Sequence, residues 1–312
     1  MTLKGKKVLV TGGAGFVGSH IVDRLSPDNQ VTVLDNLFTG SMKNLAKSKD
    51  RINFVKGDIL DKKLVAKLVK DADYIFHLAA HVGNIRSLND PYFDMQVNIV
   101  GMLNLLEACR NARIERLVYS ASAASFGEAK YLPIDEDHPQ CPESPYAASK
   151  LAAEKYAFTY YTVYGIPTAS VRYFNIFGPR QDTSEYANAI SIFLGKFRKE
   201  EPITIYGDGE QTRDFLFIQD VVTANILAAT EPKAAGGNFN IATGTATTIN
   251  RVADIIEQVS GKKNERIYAP YRKGEVRDSR ATIAKAQKIL GFQPTITLEE
   301  GLKITWEEML KE

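Results

Sequence analysis

The stretch Thr11–His20, TGGAGFVGSH, decides the fold of this chain of 312 residues. It follows a short β-branched run, Lys7–Val10, that predicts a strand, and it opens Val17–Leu25, which has the length and spacing of a helix. A strand that passes through a glycine-rich turn directly into a helix is the first half of a β-α-β unit. The sequence therefore predicts an α/β fold.

Three glycines of this turn, Gly12, Gly15 and Gly18, occur at every third position. Glycine permits a tight turn, a close approach of the backbone to a pyrophosphate, and close packing of the helix against the strand. The free N–H groups and the dipole at the start of the helix attract phosphate oxygens. The turn therefore predicts a dinucleotide site.

Asp35 lies at the end of the next predicted strand, Gln30–Leu34. A carboxylate there can accept hydrogen bonds from both ribose hydroxyls of NAD, and it would repel the 2′-phosphate of NADP. No arginine stands beside Asp35, although Lys43 follows downstream. The sequence favours NAD as the cofactor.

Strands and helices continue to alternate through the first half of the chain. Further strands are predicted at Asn53–Val55, Tyr74–Leu78, Arg116–Ser120 and Ile166–Val171, with helices at Lys62–Lys70 and Pro91–Asn111. This alternation requires parallel strands joined by right-handed crossovers. The fold class is therefore α/β, with a doubly wound parallel (Rossmann) sheet.

The pattern becomes irregular after a Gly/Pro-rich turn, Phe177–Arg180. Later strands are predicted at Ile203–Tyr206 and Asn238–Ile241, and later helices at Ile218–Ala229, Thr248–Ser260 and Leu298–Leu310. We expect an NAD-binding Rossmann domain from 1–172 plus about 213–244. A smaller α/β substrate-binding lobe would contain about 173–212 plus 245–312.

The composition excludes several classes of protein. The net charge of +2 gives no basic surplus for nucleic acid or a membrane surface, and no apolar run is long enough to cross a bilayer. Cys109 and Cys141 cannot form a disulfide framework, and neither they nor the four histidines have metal-ligand spacing. With no signal-peptide pattern, the sequence predicts a cytoplasmic protein without a metal site.

Tyr146 and Lys150 lie four residues apart in SPYAASK, on a helix that Ser144 and Pro145 begin. This spacing places both side chains on one helix face. Ser122, in SASAASFG, follows the fifth predicted strand. Each of these residues alone is common on protein surfaces. Ser122, however, is predicted at the carboxyl end of a parallel strand, which is where doubly wound sheets bind their ligands. Together they predict a catalytic group.

Six segments in this order carry a family resemblance: TGGAGFVG, HLAA, YSASAASFG, YAASK, RYFNIFGPRQ and YGDGEQTRDF. The chain resembles, over essentially its whole length, the extended short-chain dehydrogenase/reductases that act on nucleotide sugars. Within that family it is most similar to UDP-glucose 4-epimerases and UDP-N-acetylglucosamine 4-epimerases. The resemblance implies a UDP-sugar 4-epimerase that keeps NAD bound and forms a transient 4-keto sugar.

A tyrosine, with an ordinary pKa of about 10, becomes a base near neutrality only beside positive charge. We expect Lys150 and the oxidised nicotinamide to supply that charge, so that Tyr146 takes the proton of the sugar hydroxyl. Ser122 would hydrogen-bond the same oxygen. The three residues are therefore the predicted catalytic residues.

The resemblance implies further contacts with both ligands. Besides the glycines, Asp35, Tyr146 and Lys150, the expected NAD contacts are Phe16, Val17, Asn36, Asp58, Ile59, Leu78, Ala79, Ala80, Asn98, Ser120 and Tyr173. Besides Ser122 and Tyr146, the expected substrate contacts are Asn175, Asn188, Arg213, Arg272, Glu275 and Ser279. Guanidinium groups suit diphosphate oxygens, although Arg213 could instead form a salt bridge with the adjacent Asp214.

The reaction type depends on the residues after Ser122. Dehydratases of this family carry an acidic residue there, whereas this chain has Ala123 and Ala124. This difference favours epimerisation. A nucleotide-sugar decarboxylase or 4,6-dehydratase is the alternative, which a change in product mass would identify. A non-catalytic NAD-binding scaffold is a remote alternative, because it would not need all three catalytic residues.

The resemblance also bears on substrate size and assembly. Ser279 falls where a tyrosine would limit the sugar pocket, so a serine should admit an N-acetyl group; a slip in register would place Asp278 or Arg280 there instead. A homodimer is expected through helices that include Pro91–Asn111 and Ser144–Tyr164. Phe158, Tyr161 and Leu105 are apolar or aromatic residues of these helices that could serve the interface or the core.

Overall fold

The computed structural model describes residues 3–182, 188–271 and 276–311. Its main sheet has seven parallel strands: β1 Lys7–Thr11, β2 Gln30–Asp35, β3 Ile52–Lys56, β4 Tyr74–His77, β5 Arg116–Ser122, β6 Thr168–Tyr173 and β11 Asn238–Ile241. The spatial order is β3-β2-β1-β4-β5-β6-β11. The order reverses between β1 and β4, which is where doubly wound sheets bind ligands. The predicted fold class is confirmed.

Helices cover both faces of this sheet: α1 Phe16–Leu25, α2 Lys62–Lys70, α5 Gly101–Cys109, α6 Pro145–Tyr164 and α8 Ile218–Thr230. Alternate residues of β1 enter different hydrophobic cores, because successive side chains of a strand point to opposite faces. Val8 and Val10 enter one core and Leu9 enters the other, and all three are buried. Burial on both faces explains why these strands are apolar runs without polar alternation.

A second group of elements follows β6. Three pairs of short strands lie here: β7 Ile176–Phe177 with β10 Leu216–Phe217, β8 Ile203–Tyr206 with β13 Arg266–Ala269, and β9 Thr212–Arg213 with β12 Thr247–Thr248. The helices are α7 Ala189–Lys199, α9 Ile249–Ser260, α10 Ala284–Leu290 and α11 Leu298–Met309. The sequence analysis did not predict α7, α10, β13 or the two-residue strands, and these last are too short to show a periodic pattern. The division into two domains stays a prediction.

The segment predicted as one helix, Pro91–Asn111, is divided. It contains α4 Pro91–Met95, a π-helical turn Gln96–Val100, and then α5. The short helix α3, Asn84–Asn89, precedes it. A π turn does not disturb the apolar spacing enough to show in the sequence, and such turns occur frequently at functional sites.

Among the described residues, no helix has both the length and the apolar character needed to cross a membrane. Apolar side chains are nevertheless exposed on adjoining helices, since α3 and α4 both pack against α6. Leu88 is 64% exposed, Tyr92 78% and Phe158 56%, whereas Leu105 is fully buried in the core. We define the exposed apolar surface of α3, α4 and α6 as the helix face.

We predict that the protein forms a homodimer through the helix face, because contiguous exposed apolar surface marks an association site. Light scattering of the wild type should give twice the chain mass of 34.6 kDa. Phe158→Glu places a charge in this face and should weaken association by roughly tenfold or more. Leu310→Glu, at a residue that is also 58% exposed but lies after α11, is the matched control. A wild-type monomer at micromolar concentration would contradict the prediction.

Candidate active site

A cavity of about 1230 Å³ opens at the carboxyl ends of the main-sheet strands. Its wall includes the residues that directly follow or end β1, β3, β4, β5 and β6, namely Gly12, Gly57, Leu78, Ser122 and Tyr173. It continues across to the second group of elements. One cavity therefore joins the predicted dinucleotide site to the predicted substrate site.

The glycine turn forms one wall of this cavity. Gly12 has φ +70°, and a Cβ atom there would lie 2.6 Å from the backbone nitrogen of Ala79. A Cβ atom on Gly18 would lie 2.2 Å from the carbonyl oxygen of Gly12. Helix α1 begins after Gly15 without a side-chain cap, so its first N–H groups face the cavity region. A tight turn that leads to an uncapped helix fits the pyrophosphate of a dinucleotide.

Asp35 ends β2 and is 8% exposed. Its Oδ2 accepts a hydrogen bond from the Ala14 backbone N–H at 2.9 Å, and its Oδ1 accepts one from the Leu37 N–H at 2.8 Å. Nearby, Asn36 Nδ2 donates to Asp58 Oδ2 at 2.9 Å. These bonds hold the carboxylate at the cavity wall, where its remaining lone pairs suit ribose hydroxyls.

The three predicted catalytic residues come together at the same cavity. Ser122 ends β5, and Ser144 begins α6 by accepting a hydrogen bond from the Ala147 N–H at 3.1 Å. Tyr146 hydrogen-bonds Ser122. Lys150 is 3% exposed, and its Nζ lies 4.5 Å from the centroid of the Tyr119 ring. The strand end and the first helical turns thus bring a hydroxyl, a phenol and an amine to one place.

Burial dominates the electrostatics of this group. It raises the pKa of Tyr146 to about 12, although the hydrogen bond with Ser122 acts against it. Burial also lowers the pKa of Lys150 to about 7. Burial alone therefore disfavours the phenolate, and the expectation that Lys150 and the oxidised nicotinamide together favour it stays a prediction. The phenolate requires a further positive charge within the cavity.

Two predicted substrate residues are held by the backbone at the far side of the cavity. Asn175 Nδ2 donates to the carbonyl of Asp214 at 3.2 Å. Asn188 caps α7 by accepting a hydrogen bond from the Ser191 N–H at 3.1 Å, and its Nδ2 donates to the Ile176 carbonyl at 2.7 Å. Both asparagines line the cavity in fixed orientations.

Arg213 lies on β9 and lines the cavity. Its Nη1 donates to the carbonyls of Thr212 and Arg277 at 2.9 and 3.0 Å. The adjacent Asp214 is engaged elsewhere, since its carboxylate accepts from the Thr243 N–H at 2.8 Å and from the Gly244 N–H at 2.9 Å. The backbone therefore orients the Arg213 guanidinium at the cavity wall.

Ser279 also lines the cavity, whereas Asp278 does not. The Thr212 hydroxyl donates to Asp278 Oδ1 at 2.7 Å, and the Ser279 N–H donates to the Thr212 carbonyl at 3.1 Å. These two bonds fix the register of this segment against β9. Arg272 and Glu275, also predicted as substrate contacts, lie outside the described residues.

Asn98, also predicted as an NAD contact, lies behind the cavity wall. It is 2% exposed and does not line the cavity. Its side chain accepts from the His81 N–H at 2.9 Å and donates to Ser149 Oγ at 2.9 Å. Asn98 therefore supports the cavity wall from behind through His81, and its contact with NAD stays a prediction. The other predicted NAD contacts all line the cavity.

Several cavity residues were not predicted from the sequence. They include Arg86, Phe193, Tyr206 and Gln211. Tyr206 and Gln211 lie within the quoted segment YGDGEQTRDF, which was a usable signal. Arg86 and Phe193 lie on α3 and α7, which were not predicted as helices, so the directions of their side chains could not be predicted.

Comparisons with known proteins agree with this geometry. The UDP-glucose 4-epimerase of Mycolicibacterium smegmatis is 39% identical over 306 residues, covering 96% of this chain and 97% of that protein. The UDP-N-acetylglucosamine 4-epimerase of Methanobrevibacter ruminantium, solved with UDP-N-acetylmuramic acid, has a TM-score of 0.95 at 39% identity and 99% coverage of both chains.

A further solved structure, the UDP-glucose 4-epimerase of Thermus thermophilus in complex with NAD, has a TM-score of 0.89 at 37% identity. The match covers 97% of this chain and 99% of that one. The glycine turn and Asp35 fit the same cofactor, so the cofactor of this protein is NAD. Residues 8–242 match the family described as NAD dependent epimerase/dehydratase, and the chain belongs to that family.

Proposed function

We propose that this protein is a UDP-sugar 4-epimerase that interconverts UDP-Glc with UDP-Gal and also UDP-GlcNAc with UDP-GalNAc. The observation that carries the proposal is the cluster of Ser122, Tyr146 and Lys150 at the cavity between the glycine turn and Arg213. The relatives named as 4-epimerases of both kinds of sugar support it.

When bound, NAD supplies positive charge near Tyr146 and a reversible acceptor for the hydride from C4 of the sugar. Tyr146 takes the proton of the C4 hydroxyl, and Ser122 hydrogen-bonds the same oxygen and relays the proton. Lys150, as an ammonium, favours the phenolate of Tyr146. The resulting 4-keto sugar turns over in the cavity, and Tyr146 returns the proton when the opposite face is reduced.

The residues beside Ser122 support epimerisation over dehydration. Ala123 and Ala124 both line the cavity, so methyl groups stand where an acid would be needed to act on the carbon next to the ketone. Incubation with a panel of UDP-sugars, without added cofactor, tests the proposal. We expect products of unchanged mass and inverted configuration at C4 by chromatography and NMR. A product that has lost water or carbon dioxide would contradict it.

We predict that the purified protein carries NAD, because a cofactor regenerated in every turnover has no need to leave. Denaturation followed by enzymatic assay of the supernatant measures the dinucleotide. NADP as the only tightly bound dinucleotide would overturn the argument from the Asp35 carboxylate.

Tyr146→Phe should lower kcat by about 10²–10⁴-fold, the usual loss when a general base is removed. Binding of UDP should change little, because the substitution removes only a hydroxyl group. Tyr156→Phe is the matched control, since Tyr156 lies on the same helix but is 39% exposed. Near-normal turnover by Tyr146→Phe would contradict the mechanism.

Ser279→Tyr should lower kcat/KM for the N-acetylated pair much more than for UDP-Glc and UDP-Gal, because the added ring fills space at the cavity wall. Comparing kcat/KM for both pairs gives the measurement. Arg280→Tyr adds the same side chain one residue later, outside the cavity wall, and should preserve the ratio. If Ser279→Tyr keeps its activity on the acetylated pair, Ser279 does not limit substrate size.

A further inference from the structure

Asp94, on α4, has a completely buried side chain beside the catalytic helix α6. Its Oδ1 accepts a hydrogen bond from Ser149 Oγ at 2.5 Å, and its Oδ2 accepts one from Asn98 Nδ2 at 3.1 Å. His81 Nδ1 lies 3.5 Å from the same Oδ2. A carboxylate in such a place is costly unless its charge is compensated.

The Asp94 cluster, which we define as Asp94, Asn98, Ser149 and His81, is connected to the reacting groups. Ser149 directly precedes Lys150, and its Oγ also lies 3.1 Å from the Tyr146 carbonyl. Asn98 binds both the N–H and the carbonyl of His81, which lines the cavity. Asp94 thus lies behind the helical turn that carries both Tyr146 and Lys150.

A second buried acid near Lys150 shows the contrast. Glu154, one turn further along α6, forms a paired ion bridge with Arg172, with distances of 2.5 Å to Nη2 and 2.8 Å to Nε. Within the described ranges, the ion contact recorded for Asp94 is with His81 and not with a lysine or arginine. Arg172 offsets part of the field of Glu154, and Asp94 raises the pKa of Lys150 more than Glu154 does.

The other titratable groups around Lys150 act less specifically. Tyr119 and His77 face it from β5 and β4, and burial lowers the pKa of His77 to about 3, so that this ring is neutral. Asp94 opposes the effect of burial on the pKa of Lys150, and it adds to the rise in the pKa of Tyr146. One charge therefore influences both members of the catalytic pair.

We propose that Asp94 is a positioning residue for the reaction, whose buried charge behind the Tyr146–Lys150 turn favours the ammonium form of Lys150 and sets the pH range in which Tyr146 and Lys150 work. The pH range of turnover rests on the proposed function, whereas the effect on Lys150 itself does not. Asp94→Asn preserves the shape of the side chain and removes the charge.

The pH profile of kcat gives the first test. The active form has Tyr146 deprotonated and Lys150 protonated, so the acid limb reports the tyrosine and the alkaline limb the lysine. Loss of the negative charge lowers both pKa values. Both limbs of Asp94→Asn should therefore move to lower pH, by about 1 unit. Ser149→Ala removes a hydrogen bond but keeps the charge, and it should leave both limbs in place.

Thermal unfolding of the cofactor-free protein gives a second test that needs no turnover. The pKa of Lys150 in the folded state lies below its ordinary value of 10.5, so burial costs stability increasingly as pH falls from 10.5 towards 7. Removing the Asp94 charge enlarges this cost. The Tm deficit of Asp94→Asn relative to wild type should thus be larger at about pH 6 than at about pH 10.

The outcomes separate the two proposals. If the wild type turns over no UDP-sugar, the proposed function fails, and the Tm comparison still decides the role of Asp94. The role of Asp94 would be overturned if the pH profile of kcat for Asp94→Asn has the same acid and alkaline limbs as the wild type. It would also be overturned if the Tm deficit of Asp94→Asn is equal at both pH values. If the acid and alkaline limbs of the pH profile shift by the same amount in Ser149→Ala, the shift comes from the lost hydrogen bond. That result would also overturn the role of the Asp94 charge. Asp94→Ser, also neutral, replaces Asp94→Asn if that variant does not fold.

Discussion

The contact of Gly12 with the backbone of Ala79 is the constraint on which the site depends. Two chain segments, one after β1 and one after β4, approach so closely that no side chain fits between them. Gly18 brings α1 equally close to the same turn. Because these contacts involve backbone atoms, which cannot rotate away as a side chain can, they restrict the position of the helix N-terminus. The close contacts of Gly12 and Gly18 therefore position the part of the cavity wall that fits a dinucleotide.

The helix that carries Tyr146 and Lys150, α6, is held against the sheet by buried polar groups. Arg172 lies on β6 within the core, and its ion pair with Glu154 connects that strand to α6. Its guanidinium also lies 5.1 Å from the centroid of the Phe126 ring. Such pairs contribute little net stability, but a broken one would be strongly destabilising. The same enclosure raises the pKa of Tyr146 and lowers that of Lys150, so reactivity and stability are opposed at this helix.

The substrate side of the cavity depends on another buried carboxylate, Asp214. It accepts hydrogen bonds from Thr243 and Gly244, and it lies 3.4 Å from the backbone nitrogen of Ala281. Burial raises its pKa, while these bonds act against that rise. Asp214 directly follows Arg213, the last residue of β9. Its carboxylate therefore connects the end of β9 to the segments that contain Gly244 and Ala281. The position of Arg213 therefore follows from contacts that lie far apart in the sequence.

The features that depend on local patterns could be predicted from the amino-acid sequence alone. The glycine turn, Asp35 after β2, and the spacing of Tyr146 and Lys150 are each decided within a few residues, by backbone sterics or by the helical repeat. The tertiary structure was needed to place Asn98 behind the cavity wall, because its side chain is held by His81 and Ser149, which lie 17 and 51 residues away in the chain. It also decided that Ser279 reaches the cavity wall, since its register is held by Thr212 across 67 residues of chain. The effect of the Asp94 charge on Lys150 is also a feature of the tertiary structure. It depends on burial and on long-range contacts, which no local sequence pattern encodes.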